Sequence, residues 1–145
     1  MSNSDNPKKG ADFQKQVQQY FINTYGPSFE LEKKIPIGEP AKDHKFDIVS
    51  FDLGIVIECK RYTWTETGNV PSAKMGFTNE AAFYLRFLPD YYTKYIVMLN
   101  AHHPKRQESL AEYYYRMNNH LLGVVKVAEY DPESNEFRII NDKES

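Results

Sequence analysis

The stretch KFDIVSFDLGIVIECKRYTW, residues 45–64, decides how this chain folds. Two apolar runs, FDIVS and IVIEC, flank Asp52-Leu53-Gly54. Runs of that length, rich in β-branched residues and joined across a glycine turn, form a β-hairpin, expected over 45–50 and 55–62. Yet Asp47, Glu58 and Lys60 stand inside them. Ionised groups are rarely set into strands of this character without partners. Alternation turns Val56, Glu58 and Lys60 to one face. With the turn centred on Leu53-Gly54, Asp47 lies opposite or diagonal to residues 58–60, within about 4.5–8 Å. All three polar groups then meet at one spot near the strand ends.

To either side the pattern alternates between helix and strand. Phe13, Val17, Tyr20 and Phe21 recur at helical spacing, and Tyr25-Gly26-Pro27 ends that helix. SFELEKKIPIG, residues 28–38, alternates like an exposed or edge strand, and EPAKDHK, residues 39–45, reads as a polar loop. After the hairpin, TWTETGNVPS is a ten-residue loop. Phe77, Ala81, Leu85 and Leu88 mark a second helix, which Pro89 stops; Gly76 leaves its start open. YIVMLN, residues 95–100, is a continuous apolar run, as in a strand buried on both faces. Leu110, Tyr113, Tyr114, Met117 and Leu121 define one face of a third helix with Gly123 as its stop. VVKVAEY and FRII across DPESN form a closing hairpin. The expectation is an α/β (α+β) fold, a mixed central sheet flanked by helices in the order α-β-β-β-α-β-α-β-β. It occupies one domain over 10–141, with flexible tails at 1–9 and 142–145.

Composition narrows the function. The chain has 145 residues, 41% hydrophobic and 26% charged, with a net charge of −2. Chains that coat nucleic acid are usually strongly basic, so any such contact here is local. Cys59 is the only cysteine, which excludes an internal disulfide and a Cys/His zinc cage. No apolar run approaches the roughly 20 residues of a membrane helix, and MSNSDNPKKG lacks the form of a signal peptide. A soluble, cytoplasmic protein is expected. P-loop, GxSxG and HExxH patterns are absent from the sequence.

Two close carboxylates raise each other's pKa unless a cation sits between them. Mg²⁺ favours one or two carboxylates with several waters and phosphate oxygens, and such an ion polarises a phosphoryl group and acidifies a bound water. Lys60 beside it would orient that water or meet charge developing on the phosphate. The Cys59 carbonyl, between the two side chains, is a further candidate ligand. The plain alternative is a solvated Asp47 and a Glu58–Lys60 surface pair worth a fraction of a kcal/mol.

The aspartate, ten intervening residues, and Glu-x-Lys on the next strand resemble the PD-(D/E)XK nuclease superfamily, whose restriction-endonuclease-like core has the same order of early elements. The resemblance covers roughly residues 10–100. It implies metal binding by Asp47 and Glu58, with catalytic help from Lys60. The first helix of that family often adds a glutamate; here Gln14 fills the place, without charge, and Asp12 lies two residues earlier. In size the chain is similar to Holliday-junction-resolvase-like nucleases, which implies a homodimer. The expected activity is Mg²⁺- or Mn²⁺-dependent hydrolysis of phosphodiester bonds, in DNA before RNA. The competing expectation is a weak or inactive nucleic-acid-binding or interaction module with the same fold; a hydrolase of another phosphate ester is a third.

Other residues qualify as contacts. Arg61 and Lys74 suit a phosphate backbone, and Tyr62 and Trp64 suit base stacking or, equally, helix packing. His102, His103 and Arg106 form the most basic short cluster. Glu80 is a substitute acid near the second helix start. Tyr113 to Arg116 read as helix packing that leaves one ring for a dimer face. Cys59 points away from Glu58 and Lys60, into the core.

Overall fold

Gly54 closes the central hairpin with φ +67°, a left-handed value that side chains disfavour, and its N–H returns to the Ser50 carbonyl at 2.9 Å. The Ser50 hydroxyl also accepts from the Leu53 N–H at 3.1 Å. The computed structural model describes residues 7–141. Its elements are α1 (Pro7–Tyr25), β1 (Glu30–Ile37), β2 (Lys42–Ser50), β3 (Ile55–Lys60), α2 (Ser72–Arg86), β4 (Thr93–Leu99), α3 (Leu110–Asn118), β5 (Lys126–Asp131) and β6 (Glu136–Ile140). This is the expected α+β order, with a 3-10 turn at Asn119–Leu121 added after α3.

One mixed sheet of six strands runs β1-β2-β3-β4-β5-β6. β1, β2 and β3 form an antiparallel meander, β3, β4 and β5 are parallel, and β6 returns antiparallel to β5. The two parallel connections carry helices, as parallel neighbours require. Those helices, α2 and α3, cover one face: Leu85, Leu110 and Tyr114 pack with Val56, Ile96 and Val127. α1 covers the other, where Phe13, Val17 and Phe21 meet Ile48, Ile57 and Val97. β4 is buried on both faces, as its unbroken apolar run requires. Ser109 and Glu112 form a capping box that starts α3.

Several boundaries differ from expectation. α1 begins at Pro7, so residues 7–9 are helix rather than tail; proline suits a first helical position, and Lys8 pairs with Asp12 one turn on. The other residues expected as tails, 1–6 and 142–145, lie outside the described residues. β2 begins at Lys42, because Ile35, Pro36 and Ile37 pair with His44, Asp43 and Lys42, turning the supposed polar loop into hairpin. β3 ends at Lys60, two residues early. α2 starts at Ser72 with Gly76 inside it, and it buries Met75, Thr78, Ala81, Ala82 and Leu85 while Phe77 stays half exposed. In α3 the buried residues are Leu110, Ala111 and Tyr114. Met117, still within the α-helix, is exposed beside its buried face, and Leu121 is exposed because the tighter turn after Asn118 changes the facing of residues 119–121. Among the described residues no helix is long and apolar enough to cross a membrane.

Candidate active site

The β2–β3 ladder pairs Ser50 with Ile55, Val49 with Val56 and Ile48 with Ile57, and then opens. The next two residues across the gap are Asp47 and Glu58. The Asp47 N–H donates to Glu58 Oε2 at 2.8 Å, and the Cys59 N–H donates to Asp47 Oδ2 at 2.8 Å. Each carboxylate thus takes a backbone donor that the ladder leaves unpaired. Both side chains are held by the strand opposite, which fixes their rotamers at the mouth of the splay. Extended strand geometry turns a residue's carbonyl and N–H to the same edge, so the Cys59 carbonyl faces this gap too.

Charge at this point is poorly compensated. Glu58 is 7% exposed. Burial first, then the Asp47 charge, push its pKa up to about 8, against the pull of the Asp47 N–H and Lys60. Burial likewise raises Asp47, opposed by the Cys59 N–H, Lys60 and Lys45, with Glu32 adding to the rise. The Cys59 thiol lies among the residues packed under α1, and its pKa is raised by burial and by both carboxylates, so it is an inert core group.

Lys60 and Lys74 converge. Their ammonium groups lie 6.0 and 5.5 Å from the centre of one ring, Tyr62, which packs against the α2–α3 core. Lys74 comes from the first turn of α2, so the loop before that helix folds it back to the end of β3. Gln14, on the exposed flank of the apolar stripe of α1, reaches the same region: its Nε2 donates to the Asp47 carbonyl at 3.3 Å and to Glu32 Oε2 at 3.5 Å.

Other candidates lie elsewhere. Trp64 is 4% exposed; its indole N–H donates to the Ala101 carbonyl at 3.2 Å. Its ring sits 4.3 Å from the Arg106 guanidinium and edge-on to Tyr113. Stacking on a base is therefore closed to it, and it locks the loop to α3. Arg61 falls on the opposite sheet face from Lys60, lining a cavity of about 560 Å³ with Lys9, Asp12, Asn100, His102 and Asp131. Asp12 is thereby drawn away from the carboxylate pair. Glu80 acts on His44, which stacks on Tyr84 at 3.9 Å. His103 accepts from the Lys105 N–H through Nδ1 at 3.1 Å, so its Nε2–H is the donor to the Glu66 carbonyl at 2.8 Å. It clips two loops together. Tyr114 is fully buried and Tyr113 and Tyr115 partly so.

Sequence reasoning missed Glu32, the acid that Gln14 touches. Nothing in its alternating surroundings separates it from an ordinary edge-strand glutamate.

Among the described residues no three His, Cys, Asp or Glu side chains form a ready metal cage. The donor set is two carboxylates and a backbone carbonyl, all hard oxygens and too few to fill a shell. That suits an ion which keeps several waters, as Mg²⁺ and Mn²⁺ do. Burial first and the neighbouring Asp47 second raise Glu58, so a cation placed between the two carboxylates would favour their ionised forms.

Comparison of the chain with family models, with curated proteins and with solved structures finds no match.

Proposed function

We propose that this chain is a metal-dependent nuclease of the PD-(D/E)XK kind, hydrolysing phosphodiester bonds in DNA with Mg²⁺ or Mn²⁺. The observation that carries the proposal is the opened ladder, which sets the buried Glu58 and the partly buried Asp47 across from each other with the Lys60 charge acting on both. Asp47, Glu58 and the Cys59 carbonyl would hold the cation. When bound, it supplies charge to polarise the phosphoryl group and to make an attacking water acidic. Lys60 stands at the end of the strand that presents Glu58, where its ammonium can orient that water or offset charge on the phosphate. Lys74 and Arg61 are proposed phosphate contacts on the two faces of the sheet edge. Trp64 is not included, being buried. A homodimer would offer two such centres for two strands.

The competing binding-module reading draws on one observation: at the helix position the group is the neutral Gln14 amide, engaged with the Asp47 carbonyl. One assay decides between them. Chelator-treated wild type and Lys60→Ala are incubated with labelled linear, branched and single-stranded DNA, with and without Mg²⁺ or Mn²⁺. Metal-dependent cutting by wild type that is lost in the variant supports the nuclease. DNA retention without cutting supports the module.

A further inference from the structure

Glu32 breaks the regularity of β1. Its φ is +56°, a left-handed value that is uncommon for any residue with a side chain and costs about 1 kcal/mol or more. On either side the register with β2 is intact: Leu31 faces Ile48 and Lys33 faces Phe46, which leaves Glu32 across from Asp47 with no ladder pairing. Both strands change faces there. Leu31 packs under α1 whereas Ile35, four residues on, joins the α2–α3 core. Likewise Ile48 lies under α1 and Phe46 on the other side. The kink in β1 and the kink in β2 coincide, and the two kinked residues share a neighbour.

That neighbour is Gln14, whose Nε2 touches Glu32 Oε2 and the Asp47 carbonyl. Lys45 adds a cation 3.7 Å from Glu32 Oε1. A simple surface ion pair with Lys45 would not require a left-handed backbone, since a regular strand presents Glu and Lys across a ladder equally well. The Glu32 side chain is 55% exposed, and it does not join Asp47 and Glu58 in a common three-acid cage. Gln14 thus links the Glu32 carboxylate to the Asp47 backbone, outside the carboxylate pair itself, where an ion that keeps several waters would present them.

We propose that Glu32 is the third acid of the centre, a positioning residue that works with Gln14 to hold the water shell of the cation and supplies the charge that Gln14 lacks. This rests on the metal-dependent reading of Asp47 and Glu58. Carboxylates one layer from a metal typically set its affinity by about 10- to 100-fold.

The test is Mn²⁺ affinity, measured by calorimetry on the full chain without substrate, alongside thermal unfolding of the metal-free protein. Glu32→Gln keeps the shape and removes the charge; Glu32→Gly also relieves the backbone. Both are expected to weaken Mn²⁺ about tenfold or more. Metal-free Tm should hold in Glu32→Gln and hold or rise in Glu32→Gly, because a glycine adopts this φ without strain. Adding Gln14→Glu to Glu32→Gln should restore affinity by placing an acid on the helix side of the same water shell. A merely structural Glu32 would shift Tm and leave Mn²⁺ affinity at the wild-type value, and that result overturns the inference while the metal site stands. Wild type that binds no Mn²⁺ overturns the metal-dependent reading, and the inference falls with it.

Discussion

Glu58 is a residue whose protonation couples directly to the stability of the fold. Its pKa in the fold is about 8, against an ordinary 4.5. The folded chain therefore binds a proton that the unfolded chain has already released between those values. Stability from this group is fullest below pH 4.5 and is lost as pH rises through about 8. The stability of wild type minus that of Glu58→Gln, measured by urea unfolding without metal, should accordingly fall by on the order of 3 kcal/mol between pH 5 and 8. The glutamine variant removes the titration and keeps a group of the same shape. A flat difference would show that Glu58 ionises freely in the fold. Asp47, Glu58 and Lys60 were legible in the sequence because strand alternation and a short turn fix their faces within a few residues. Glu32 and Trp64 were not. One depends on a single left-handed dihedral, the other on Ala101 and Arg106, some forty residues away along the chain.

Among the elements, α3, β5 and β6 are tied by a polar lock. Buried Glu129 accepts from the Ser109 hydroxyl at 2.7 Å and from Arg138 at 2.6 Å, and Arg138 also reaches Glu112 at 2.9 Å. Arg138→Ala would strand a buried carboxylate with one hydroxyl donor. Breaking fully buried pairs costs about 3–5 kcal/mol; with the guanidinium half exposed, about 2 kcal/mol is expected here in chemical unfolding. A change below about 0.5 kcal/mol would mark the lock as a solvated surface network. Helix faces were harder to read than strand faces. Phe77 shares helical spacing with Ala81 and Leu85, and those two are buried with Met75, Thr78 and Ala82, yet Phe77 itself is left half exposed. Small residues there let the helix lie close to the sheet, and Phe77, Phe83 and Phe87 are left half exposed or more. Periodicity locates an apolar stripe; packing decides how far along it burial reaches.

For the whole molecule, strand order mirrors chain order: each strand lies beside its sequence neighbour, a common tendency, although the mixed sheet was legible in the sequence and its strand order was not. The place where the ladder opens could not be expected, since it depends on the coincident kinks of β1 and β2. The opening gives each carboxylate of the pair one backbone donor at the end of an otherwise closed ladder. If the pair holds a cation, binding must displace the proton that Glu58, with its pKa raised to about 8, carries at pH 7. The measurement that tests this most directly is a Mn²⁺ titration by calorimetry at pH 7 in two buffers of different ionisation enthalpy, on wild type and Asp47→Asn. We expect saturable binding with about one proton released per ion, and loss of both in the variant. Absence of binding, or binding that Asp47→Asn leaves unchanged, would contradict the metal centre and the nuclease built on it.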